Sequence, residues 1–96
     1  MTLHELASLR VCRVELAYFG NDRSEFVLYA ANAKVATSMC VAKGATLEAT
    51  VEAFFRFVDR YTPDIVLVNL AAFGKVFYDQ VRETLEVSGI QILVVH

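Results

Sequence analysis

Apolar and polar positions alternate with period two over residues 9–19, "LRVCRVELAYF". Cys12, Val14, Leu16 and Tyr18 fall on one side and Val11, Arg13, Glu15, Ala17 and Phe19 on the other. That pattern predicts a strand with one face more polar than the other. Turn residues follow in "GNDRS", so the chain reverses. A second strand is predicted over residues 25–31, a weaker turn at Asn32-Ala33-Lys34, and a third strand over residues 35–42. Three strands joined by short turns make an antiparallel meander.

The period changes after Gly44. Thr46 is placed to cap a helix, with Glu48 in the first turn where the helix dipole favours an acid. Leu47, Val51, Phe54, Phe55, Val58 and Tyr61 recur at helical spacing, and Glu48, Glu52, Arg56, Asp59 and Arg60 fill the other side. Thr62-Pro63 ends the helix, because the residue before a proline avoids the helical region. "DIVLVNL" is then a continuous apolar run, the signature of a strand covered by helices on both faces. A second helix is predicted over residues 71–87, with a stripe of Phe73, Val76, Phe77, Val81 and Leu85 and a stop at Gly89. Residues 90–95 form the last strand, parallel to the one before it through a right-handed crossover.

The predicted order is β-β-β-α-β-α-β: an α/β mixed sheet in which an antiparallel meander leads into parallel strands with crossover helices. Ninety-six residues without a linker make a single domain, residues 1–96. Composition changes this picture in one respect. Hydrophobic residues make up 56% of the chain, above the ordinary range of about 45–50%. A small domain buries a smaller share of its surface than a large one, so part of this apolar material is expected outside, at a protein interface.

Charge excludes more than it suggests. The net charge is −2 and the basic residues are scattered, so nucleic acid is an unlikely partner. Cys12 and Cys40 lack metal-type spacing and are expected as free thiols. The first ten residues contain no long apolar stretch, and no window is long enough for a membrane helix. A cytoplasmic, reduced chain is the expectation, with no membrane partner.

The element order resembles the core of the ribonuclease H-like superfamily, which includes Holliday-junction resolvases, their catalytically altered relatives and the sugar-kinase/actin ATPases. "VCRVEL", residues 11–16, is also similar to the opening strand of a small uncharacterised bacterial family of this fold that begins Val-Cys-Gly-Val/Ile-Glu-Leu, with Arg13 in place of the Gly. In open α/β sheets, ligands gather at the carboxyl ends of parallel strands. In superfamily nucleases the tip of the fourth strand carries a carboxylate, which with an acid from the first strand holds Mg²⁺. Two such metals, about 4 Å apart, clamp the attacking and leaving oxygens of a phosphodiester. Asn69 stands at that tip and offers one neutral oxygen where a hard cation wants charge. The resemblance therefore implies a damaged or absent metal site. It also implies a later helix carrying further acids, which is expected to be missing after the fifth strand.

The remaining acids each have a plainer alternative. Glu15 fits the acid of the first strand, or else sits on its polar face with Arg13. Glu48 and Glu52, one turn apart on the first helix, fit its acid ligand, or else line a solvated face. Gly74-Lys75 lacks the glycines of a phosphate-binding loop. No His, Cys and acid stand at catalytic spacing. The expected function is a small non-catalytic ribonuclease H-like domain that works through protein–protein contact as a homodimer, with no cofactor. The alternatives are a divalent-metal-dependent nuclease or resolvase-type enzyme using Mg²⁺ on Glu15, Glu48, Glu52 and Asn69, and a small-ligand-binding α/β module built around Asn69. The expected interface is the third-strand edge, Val35, Met39 and Val41, together with Phe57, which lies off the main stripe of its helix.

Overall fold

A computed structural model describes residues 9–16, 23–30, 34–42, 44–69 and 74–95. The strands are β1 (Val11–Glu15), β2 (Glu25–Tyr29), β3 (Val35–Cys40), β4 (Ile65–Asn69) and β5 (Gln91–Val95), and the helices are α1 (Leu47–Tyr61) and α2 (Gly74–Val87). They follow the expected β-β-β-α-β-α-β order and form one sheet, β3-β2-β1-β4-β5. The β1–β2 and β2–β3 pairs are antiparallel, and the β1–β4 and β4–β5 pairs are parallel. The architecture is thus α/β with a mixed five-stranded sheet. The strands are shorter than the apolar runs, because pairing ends them before hydrophobicity does. Predicted strand and turn residues 17–22, 31–33 and 43, and the predicted helix start at 71–73, lie outside the described residues.

Local chemistry sets both helix limits. The Thr46 hydroxyl accepts from the Ala49 N–H at 3.1 Å, satisfying one of the orphan donors of α1. At the other end Thr62 turns left-handed, φ 42°, and its N–H donates to the Val58 carbonyl at 2.7 Å. After α2, Gly89 takes φ 78°, and the Ile90 N–H donates to the Leu85 carbonyl at 2.9 Å. These bonds satisfy carbonyls that the helix ladder leaves open.

Both helices pack on the same face of the sheet. The Phe54 ring of α1 lies 5.1 Å from Phe77 of α2 and 5.3 Å from Phe26 of β2, edge to face in each case. Cys12, Val14, Phe26, Leu28, Val66 and Val68 form the strand side of this core. The expectation that Ile65 and Leu67 are buried as fully as Val66 and Val68 is therefore corrected. Val66 and Val68 are wholly buried, whereas Ile65 and Leu67 are only half-buried. Among the described residues the second face carries Val11, Arg13, Val27, Tyr29, Leu67, Leu93 and Val95 with no helix over it, and Val27 is buried there.

The α1 stripe is broader than expected. Thr50, Ala53, Phe54, Phe57 and Val58 are buried, and Leu47, Val51, Phe55 and Tyr61 of the expected stripe are half-buried against the same core. Phe57 therefore lies inside, with its ring against Phe26 of β2. The Thr50 hydroxyl stays satisfied by the Thr46 carbonyl at 2.9 Å. In α2, Val76 is exposed, while Phe77, Val81 and Leu85 are buried as expected.

The uneven cover of β4 has a measurable consequence. Val66→Ala removes fully buried methyl groups and is expected to cost about 2 kcal/mol or more. Leu67→Ala is expected to cost about half as much, although it deletes more atoms, because part of that side chain already meets water. Urea unfolding at high dilution checks the order. A larger loss at Leu67 would contradict the one-sided packing.

Candidate functional site at the carboxyl ends of the parallel strands

Glu15, Cys40, Asn69 and Val95 close β1, β3, β4 and β5 at the same end of the sheet. Glu15 pairs with Glu25, and Glu25 pairs with Cys40. On the parallel side Val14 pairs with Val68, so the next register step sets Glu15 beside Asn69. Side chains alternate along a strand. Val14 and Val68 point into the core, so Glu15 and Asn69 both stand on the second face.

The structure thus brings Glu15 and Asn69 together but separates them from the helix acids. Glu48 and Glu52 are exposed on α1, which packs against the opposite face. A strand places an acid on one face or the other with each one-residue step, and the acid of β1 falls on the wrong one for α1. Among the described residues no group of three or more His, Cys, Asp or Glu is placed to hold a metal ion. Glu15 is instead engaged by Arg13, with Nη2 to Oε1 at 3.0 Å, and the Arg13 guanidinium lies 5.4 Å from the Tyr29 ring centre. Exposed pairs of this kind contribute little to stability, about 0–1 kcal/mol. Their effect is to organise the face into a polar row at the strand ends above an apolar row toward β5.

Of the expected interface residues, Phe57 and Val41 belong to the core. Phe57 is 2% exposed, with its ring 5.9 Å from Phe26 and 4.8 Å from Tyr61, so the expectation of a surface aromatic is corrected. Val35 is 60% exposed at the start of β3, and Met39 is half-buried. The strand does form an edge of the sheet, and β5 forms the other. Two features escaped the sequence reading. One is the Arg13 guanidinium beside the Tyr29 ring, which needs the antiparallel register. The other is a cleft of about 300 Å³ between β3 and α1, lined by Ser38, Met39, Arg56, Phe57, Arg60 and Tyr61. Its only sequence signal was two arginines four residues apart, beside Phe57 and Tyr61.

The two thiols differ in environment. Burial pushes Cys12 from the usual 9.0 up to about 12. Cys40 is exposed, and its Sγ lies 3.5 Å from Glu25 Oε2, a hydrogen bond that also raises its pKa. Neither is an activated nucleophile. A thiol reagent is expected to modify Cys40 in the native protein and Cys12 only after unfolding; two fast thiols without denaturant would mean that β1 opens readily. The Cys12 value in the fold lies above the unfolded one. Its contribution to stability is therefore intact below pH 9.0 and is lost as pH rises from there toward about 12.

No helix among the described residues is long and apolar enough to cross a membrane. Comparison with protein-family models and with curated proteins yields no match for this chain, so its function rests on the geometry above.

Proposed function

We propose that this chain is a small ribonuclease H-like domain without nuclease chemistry that works through protein–protein contact and self-associates as a homodimer. The observation that supports this reading is the exposed apolar row at the β5 end of the second sheet face. Leu93 and Val95 are 39% and 44% exposed there, next to half-buried Leu67 and along an edge strand, Gln91–Val95, that has neither charge nor proline. Natural edges are commonly guarded by charge, proline or a covering element. A second copy docked on this face would bury the apolar row and leave the Arg13–Glu15 pair at the rim. The lack of catalytic chemistry is supported by the opposite faces that Glu15 and the acids of α1 occupy.

Sedimentation at micromolar concentration tests this. A dimer is expected, and Leu93→Lys is expected to return it to monomer. A monomer in the parent chain would end the homodimer reading. Mg²⁺-dependent cleavage of branched or hybrid nucleic acid that disappears in Glu15→Gln would replace the whole reading with the nuclease.

A further inference from the structure

We infer that the groove between β3 and α1 binds an extended, acidic peptide segment of a partner protein, as an added strand on the β3 edge. This deepens the reading of the chain as a protein-contact domain by assigning a partner chemistry. It uses the edge of the sheet opposite the self-association face.

Three observations converge. First, among the described residues β3 pairs with a strand on one side only, leaving a row of backbone donors and acceptors on the other. The strand "VATSMC" has no charge or proline to repel a neighbour. Second, the cleft of about 300 Å³ lies between that strand and the helix beside it, where side chains from one face of an added strand would point. Its floor includes Phe57 and Met39. Third, the cleft carries Arg56 and Arg60, both exposed on one side of α1. Among the described residues neither guanidinium has a carboxylate within ion-pair distance, and that of Arg60 rests 5.6 Å from the Tyr61 ring centre.

The spacing matches as well as the charge. Residues four apart on a helix are separated by about 6 Å along the axis. Side chains two apart on a strand are separated by about 6.8 Å. Two carboxylates on the same face of an added strand therefore fall opposite two arginines one helical turn apart. The residue between them points to the second face, beside Val35 and Ser38, and suits an apolar or hydroxyl side chain. Nucleic acid would satisfy the arginines but not the unpaired strand edge, so the edge selects a peptide.

The test uses a fluorescein-labelled nonapeptide of alternating valine and glutamate, and a counterpart with lysine in place of glutamate. Fluorescence anisotropy with the full chain is expected to show the acidic peptide binding and the basic one not. Arg56→Gln with Arg60→Gln is expected to weaken binding about tenfold, since each exposed charge pair contributes up to ~1 kcal/mol. Both side chains are exposed, so circular dichroism is expected to show the fold unchanged. Amide shifts on titration are expected over β3 and α1 and not over β5. No binding at about 1 mM peptide would overturn the inference. So would equal binding of the basic peptide, an unchanged affinity in the double variant, or tighter binding of a single-stranded oligothymidylate. The same titration on the Leu93→Lys variant separates the two surfaces. Peptide binding that survives there, whatever the sedimentation result, means that the groove stands without the dimer. A dimer that ignores the peptide means that the self-association face stands without the groove.

Discussion

Phe54→Ala is expected to cost about 3–5 kcal/mol, the range for removing a large aromatic from a packed core. Phe54 is fully buried and joins three elements, with its ring 5.3 Å from Phe26 of β2 and 5.1 Å from Phe77 of α2. Domains gain roughly 0.05–0.15 kcal/mol of stability per residue, so a chain of this length has about 5–14 kcal/mol in all. Losing 3–5 of these leaves a large unfolded fraction at moderate temperature. Neighbouring side chains cannot close the gap, since α1 is held against the sheet from both sides of Phe54 by Ala53, Phe57 and Val58. Urea denaturation with an unchanged slope measures the loss. A double-mutant cycle with Phe77→Ala should show about 0.5–1.5 kcal/mol of coupling from the edge-to-face contact. A loss below about 1 kcal/mol for the single change would mean that the ring is not the bridge between sheet and helices.

Gly74→Ala is expected to cost up to about 3 kcal/mol, the upper part of the overpacking range. Helix propensity alone predicts the opposite sign, since alanine is favoured over glycine by about 1 kcal/mol within a helix. The close approach decides. A Cβ on Gly74 would overlap the Asn69 backbone carbonyl oxygen, and a backbone atom cannot swing aside as a side-chain tip can. Relief requires moving either the start of α2 or the tip of β4, so Asn69 should shift along with the loss of stability. Gly89→Ala is the control. It meets open space, and only its positive φ of 78° is strained, at about 1–2 kcal/mol. Thermal unfolding of both variants, with amide shifts around Asn69, checks the prediction. A loss at Gly74 no larger than that at Gly89, with Asn69 unmoved, would show that the contact is relieved cheaply.

By itself the sequence determined the order of the elements, the change from antiparallel to parallel strands, the Thr46 cap, the Gly89 stop and the edge position of β3. These follow from short-range causes: side-chain period, capping chemistry and proline sterics. It also determined that Asn69, a neutral amide, stands at the tip of β4. Tertiary structure decided which faces are covered. Period two says that Ile65, Leu67 and Asn69 share a side, but not whether a helix will lie on it, and a uniformly apolar strand hides the difference. Tertiary structure also decided how broad the buried face of α1 is. Thr50 and Ala53 carry little hydrophobic weight in a sequence, yet they are buried together with Phe57. The same choice of face separates Glu15 from Glu48 and Glu52, and brings Arg56 and Arg60 to the edge of β3. Propensity and period act within a few residues, whereas the face a helix chooses depends on how two distant surfaces fit together.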